Sequence, residues 1–198
     1  MTVSDLDERR AFKARVQAIL AGRERLRISD PRLRCAAVLL PLLWKKGQWH
    51  VAVTQRTHNV EHHRGQISFP GGACEAQDNG LLDTALRETH EEIGVPPEAV
   101  EVLGPLDDFP TITHFSVTPF VGVIPHPFPY RVNEAEVEAV VEVPLSFLLE
   151  PTHVRVEERE HEGQIYEVLF WDYQEGERTY TIWGATARTL RSFLDLIA

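Results

Sequence analysis

The feature that most limits how this chain can fold lies at residues 79–94. Leu82, Ala85, Leu86, Thr89 and Ile93 recur at i, i+3, i+4, i+7 and i+11, the spacing of one helical face. Such a stripe must be packed against a sheet. Gly94 and the prolines at 96 and 97 stop the helix. Beside the stripe, Glu88, Glu91 and Glu92 fill an adjoining arc of about 100°, with Arg87 just before them. Carboxylates three and four residues apart repel by about 0.2–0.5 kcal/mol a pair. Their grouping asks for positive charge among them. One reading is a plain solvated face. The other is a divalent cation, because Mg²⁺ takes one or two carboxylates and completes its shell with waters and substrate phosphates. Arg87, four residues before Glu91, either holds that carboxylate in place or forms an ordinary surface ion pair.

Strand signals supply the sheet. "RCAAVLLPLLW" (34–44) and "WHVAVTQR" (49–56) predict two strands joined by "KKGQ". The His-rich "THNVEHHRGQ" reads as a loop. "ISFPGG" reads as a short strand stopped by Pro70, Gly71 and Gly72. Adjacent glycines let backbone approach a ligand closely, offering a carbonyl to a metal or an amide to a phosphate. Later strands are predicted in "VEVLGPL", "HFSVTPFVGVI", "AVVEVPL" and "RTYTIWG", with a hairpin in "THVRVEERE" and "GQIYEVLFWDY". A helical turn is predicted in "SFLLEP", and helices at 5–22 and 185–197. The fold class is mixed α/β, in a single domain over 1–198 with no internal repeat.

The 198 residues, 43% hydrophobic and 25% charged, suffice for one sizeable core. No run approaches the roughly 20 apolar residues of a membrane span. The charged start does not read as a secretory signal, so a cytoplasmic location is expected. A net charge of −10 disfavours non-specific nucleic-acid binding, while a small polyanionic substrate remains possible where cations sit locally. Two cysteines are present. Cys35 is expected as a small core residue and Cys74 follows the glycine turn. A cytosolic chain of this size gains little from bridging them, and neither receives a role.

"GGACEAQDNGLLDTALRETHEEIGV" (71–95) resembles the Nudix box, G-x5-E-x7-R-E-U-x-E-E-x-G-U, of the Nudix hydrolases. Gly72, Arg87, Glu88, Glu91, Glu92, Gly94 and Val95 match. Asp78 replaces a Glu, eight residues rather than seven separate it from Arg87, and Thr89 stands where an aliphatic is usual. "TQRTHNVEHHRGQISFPGG" is similar to the signature that precedes the box in coenzyme A pyrophosphatases, L-L-T-x-R-[SA]-x3-R-x3-G-x3-F-P-G-G. Thr54, Arg56, Gly65, Phe69, Pro70, Gly71 and Gly72 match, while Thr57 replaces Ser or Ala and Glu61 reverses a signature Arg. "NEAEVEAVVEVPL" and "YTIWGATAR" extend the likeness, which spans about residues 34–190.

The resemblance implies a Nudix fold, a mixed sheet between helices with N- and C-terminal helices added. It implies Mg²⁺- or Mn²⁺-dependent hydrolysis of the diphosphate in coenzyme A or its acyl derivatives. Glu88 and Glu92 become the principal metal ligands, with Glu91 and Gly72 as further ligands. Glu91 is alternatively a base through water, and Arg87 orients the acids. The general base is sought outside the box, at Glu136 first, then at Glu134 or Glu138. Arg56, Arg64, Phe69, Gly71 and Gly72 are the substrate contacts, with His62 and His63 adding positive potential. Those histidines lack the spacing of zinc ligands. Trp171 and Trp183 either stack on adenine or belong to the core. Rival readings are hydrolysis of ADP-ribose or NADH, a non-catalytic binding module and isopentenyl diphosphate isomerisation. The oligomeric state is left open.

Overall fold

The structure, a computed structural model, describes residues 3–57, 65–161 and 163–198. After helix α1 (Val3–Ala21) come β1 (Arg34–Lys45), β2 (Gln48–Arg56), β3 (Ile67–Ser68) and β4 (Gly71–Ala73). Helix α2 (Leu81–Ile93) follows, then β5 (Glu101–Pro105), β6 (Phe109–Pro110), β7 (Phe115–Val123) and β8 (Val137–Pro144). A short α3 (Leu145–Leu149) leads to β9 (Val154–His161), β10 (Gln164–Glu175), β11 (Arg178–Trp183) and α4 (Gly184–Ile197). Mixed α/β is the class observed. Among the described residues no helix is long and apolar enough to cross a membrane.

β1 is the hub of an eight-stranded mixed sheet ordered β3-β2-β1-β7-β5. It runs parallel to β7 and antiparallel to β2 and β4. Its continuous apolar run has a physical cause, since both faces are covered. Ala37, Leu39 and Leu43 cluster with Ala85 and Ile93 of α2. Leu40, Leu42 and Trp44, the alternate residues, cluster with Val16 and Leu20 of α1 and with Leu190, Phe193 and Ile197 of α4. The three-stranded β11-β10-β9 sheet joins this second cluster through Trp171, Tyr180 and Ile182.

The single strand predicted in "ISFPGG" is two. β3 pairs with β2 and β4 with β1, and Phe69-Pro70 cross between them, the Pro70 carbonyl accepting from Leu39 N–H at 2.9 Å. That crossing corrects the reading of the cysteines. β4 pairs Ala73 with Ala36, which sets residues 74 and 35 opposite one another. Cys74 N–H donates to the Cys35 carbonyl at 3.1 Å, and the two side chains form a disulfide with Cα atoms 5.6 Å apart, well inside bridging distance. Cys35 is exposed, not core.

Candidate active site

α2 is rotated from the expected stripe. Ala85, Thr89 and Ile93 are buried, but so are Thr84 and Glu92, while Leu82 and Leu86 are half-buried. Thr89 takes an aliphatic position because its hydroxyl donates to the Ala85 carbonyl one turn back, at 2.6 Å. The helix ends at Gly94 in the left-handed conformation, its N–H donating to the His90 carbonyl. A side chain there would strike Arg131. Arg131 N–H donates to the Ile93 carbonyl and Asn133 N–H to the Glu92 carbonyl. These bonds dock the segment before β8 on the end of the acidic helix.

Arg87 is the hub of the acids. Its Nε and Nη2 donate to the two Asp78 carboxylate oxygens at 2.9 and 3.1 Å. Nη1 donates to Glu88 at 3.0 Å and to Glu91 at 3.1 Å, and Nη2 also reaches the Ala73 carbonyl at 3.2 Å. Such a fork orients as well as neutralises. Asp78 additionally accepts from the Thr84 hydroxyl at 2.7 Å and from Glu75 N–H at 2.9 Å. The Arg87 guanidinium, then these two donors, hold its carboxyl well below the usual carboxylate range. The extra residue between Asp78 and Arg87 is thus absorbed in the loop, and the pairing survives.

Glu88 and Glu92 meet the glycine turn. A Cβ on Gly72 would fall within 2.5 Å of the Glu88 carboxylate carbon, and one on Gly71 would strike Ala37 and Val38. Only glycine lets this backbone pass. Burial pushes the Glu88 carboxyl up against the opposing pull of Arg87. Glu92 is 2% exposed. Burial, with further repulsion from Glu88 and Glu136, pushes it up to about 8, although Arg56 and the Gly71 amide pull the other way. Arg56 Nη1 stands 3.9 Å from Glu92 Oε1, and Oε2 is buried without a hydrogen-bond partner.

That orphaned oxygen, in a site of repelling carboxylates, fits a divalent cation. Among the described residues no group of three or more Asp, Glu, His or Cys side chains is placed to hold a metal ion. A Mg²⁺-type site needs none, because one or two carboxylates, waters and substrate phosphates complete its octahedron. The donors are hard oxygens, which suit Mg²⁺ or Mn²⁺ over softer metals.

Glu136 is brought close enough to raise both Glu88 and Glu92. Asn133 Nδ2 lies 3.5 Å from its Oε1, and its carbonyl accepts from Thr57 N–H at 2.9 Å. Glu134 and Glu138 are exposed, and Glu138 lies 4.0 Å from Arg178. Glu91 is 54% exposed and tied to Arg87. Phe69 is buried in the core cluster, 4% exposed. Trp171 is core, its Nε1–H donating to the Leu148 carbonyl at 3.3 Å. Trp183 is 40% exposed and stacks on Phe170. Arg64, His62, His63 and Glu61 lie outside the described residues. Sequence reasoning missed the role of Asp78 and the docking by Asn133; the capacity of Asp to replace Glu as partner of Arg87 was the available signal.

An acidic helix packed on a mixed sheet, with its carboxylates against a glycine turn, defines the class. Residues 33–171 match the NUDIX domain family, and the chain belongs to the Nudix family as a pyrophosphohydrolase. It is 41% identical over 161 residues to a protein of Enterobacter sp. (strain 638) named uncharacterized Nudix hydrolase NudL, with 80% of each chain covered. A protein of the same name from Salmonella paratyphi B is 40% identical over 158 residues, again with 80% of each covered. A solved MutT/nudix family protein from Enterococcus faecalis shares the fold at a TM-score of 0.54 and 18% identity, covering 89% of this chain and 66% of that one.

Proposed function

We propose that the chain hydrolyses the diphosphate of coenzyme A or its acyl derivatives, releasing 3′,5′-ADP and 4′-phosphopantetheine or its acyl form. Mg²⁺ or Mn²⁺ would be held by Glu88 and Glu92, with Glu91 and the Gly72 backbone as further donors. The observation that most supports this substrate is the junction of the two sequence signatures. Arg56, from the one that precedes the box, stands 3.9 Å from the buried Glu92 of the other.

Attack by water on a diphosphate needs its charge neutralised and the nucleophile placed. A bound divalent ion supplies polarisation of a phosphoryl oxygen and acidifies adjacent water. The chain supplies the remainder. Arg56 binds the diphosphate, being the cation beside Glu92, whereas Arg87 is taken up by Asp78, Glu88 and Glu91. Arg87, locked by Asp78, keeps Glu88 and Glu91 in fixed orientations. Glu136 takes the proton from the attacking water through a carboxylate oxygen. The phosphorus–oxygen bond of the anhydride breaks, and the phosphate released carries the electron pair.

Incubating purified protein with coenzyme A, ADP-ribose and NADH in Mg²⁺ or Mn²⁺, then identifying products, tests the proposal. Coenzyme A should give 3′,5′-ADP and 4′-phosphopantetheine at the highest kcat/KM of the three. Preferred cleavage of ADP-ribose or NADH would overturn the substrate, and no cleavage of any would overturn hydrolysis here.

A further inference from the structure

A cavity of about 140 Å³ adjoins the acidic site, sharing Arg56 and Gly71 with it. Its walls come from Val38 of β1, Phe109 of β6, Val117 of β7 and the first turn of α4 at Ala185 and Thr186. Phe69 completes the apolar lining. Arg188 lies over the Phe109 ring, 4.9 Å from its centre, and holds that wall in place. Two hydroxyls on the lining are already bonded. Ser68 Oγ pairs with Thr54 Oγ1 at 3.0 Å, and Thr186 Oγ1 donates to the Ile67 carbonyl at 3.0 Å.

These properties select among the groups that flank a diphosphate. The volume is well below the roughly 300 Å³ at which whole-ligand pockets begin, so a nucleoside does not fit. A nucleobase edge also needs several placed donors and acceptors, whereas this lining is mainly hydrocarbon, with Arg56 Nε a buried, unpartnered donor at its edge toward the acidic site. In coenzyme A one phosphate bears the adenosine 5′-methylene. The other bears a methylene followed at once by a quaternary carbon with two methyl groups. That branched carbon is compact, apolar and one bond beyond the ester methylene. ADP-ribose, NADH and bis-nucleosides have a ribose on each side and no such group.

We infer that this cavity seats the dimethyl-bearing quaternary carbon of the pantoyl arm, so that Val38, Phe109, Val117 and the first turn of α4 determine substrate choice. The assignment rests on the coenzyme A reading above. It gives α4, remote in sequence from the acidic helix, a share in specificity. It also sets the direction of binding, with the pantetheine end toward α4.

The test compares coenzyme A with a synthetic analogue in which both methyls are hydrogen. One methylene in a fitted apolar pocket discriminates about 10- to 200-fold, so the analogue should show kcat/KM at least about tenfold lower. Ala185→Leu, at an exposed position of α4, fills the mouth. It should lower kcat/KM for coenzyme A by at least about tenfold and shrink its advantage over the analogue to within about twofold. Equal turnover of both substrates by the natural protein overturns the cavity assignment and leaves coenzyme A hydrolysis standing. A full methyl advantage retained in folded Ala185→Leu overturns the role of α4. Cleavage of neither substrate overturns the function and the cavity assignment together.

Discussion

Replacing Glu92 with Gln should stabilise the metal-free protein while abolishing its activity. Glu92 is 2% exposed, and its carboxyl is pushed up to about 8 from an ordinary 4.5. An acid whose folded pKa is raised binds its proton more tightly in the native state, so stability is greatest below about 4.5 and falls as pH rises toward 8. At pH 7 the loss is about 3 kcal/mol, from about 1.4 kcal/mol for each pH unit above 4.5. Gln does not titrate and avoids that loss. In a chelator, Glu92→Gln should therefore melt roughly 6–12 °C above the natural protein at pH 7, with the gap closing near pH 4.5 and widening toward pH 8. Saturating Mg²⁺ should nearly close the gap at pH 7, because ligand at 100 times its Kd adds about 2.7 kcal/mol to the protein that retains the carboxylate. Thermal melts at pH 5, 7 and 8, with chelator and with Mg²⁺, decide the matter. A variant that melts lower than the natural protein in chelator at pH 7, or a gap that ignores pH, would refute the reasoning.

Glu136→Gln should lower kcat about 10²–10⁴-fold with little change in KM, while Glu134→Gln and Glu138→Gln stay within about twofold; steady-state kinetics separates them. Asp78→Asn removes the charged partner of Arg87 and should cost about 10–100-fold in Mg²⁺ affinity or activity, as loss of a supporting group does. An unchanged Mg²⁺ titration would dismiss that role. Reducing the Cys35–Cys74 disulfide, which spans a sequence separation of 39, should lower stability by about 3–4 kcal/mol on the chain-entropy model. An unmoved urea midpoint would contradict it.

Periodicity located α2 and its carboxylates, and apolar runs bounded by turn residues found the long strands β1 and β2, because both patterns are local. The burial of Glu92 is not local. A helical wheel places carboxylates outside the buried arc, but Gly71 and Arg56, from a turn and a strand upstream, close over this one. The disulfide was hidden for a related reason. Its register depends on β4, three residues including two glycines, with no alternation to read. β6 has only two residues, too short for a pattern, yet its Phe109 forms a cavity wall. Asp78 was legible as an acid but not as the partner of Arg87, since the fold of the loop decides which carboxylate meets the guanidinium.

The most direct measurement is an anomalous difference map from crystals soaked in Mn²⁺. A peak about 2 Å from carboxylate oxygens of both Glu88 and Glu92, beside the Gly71–Gly72 turn, is the predicted result. Full soaking with that place vacant, or a peak seated only on other acids, would contradict the account at its base.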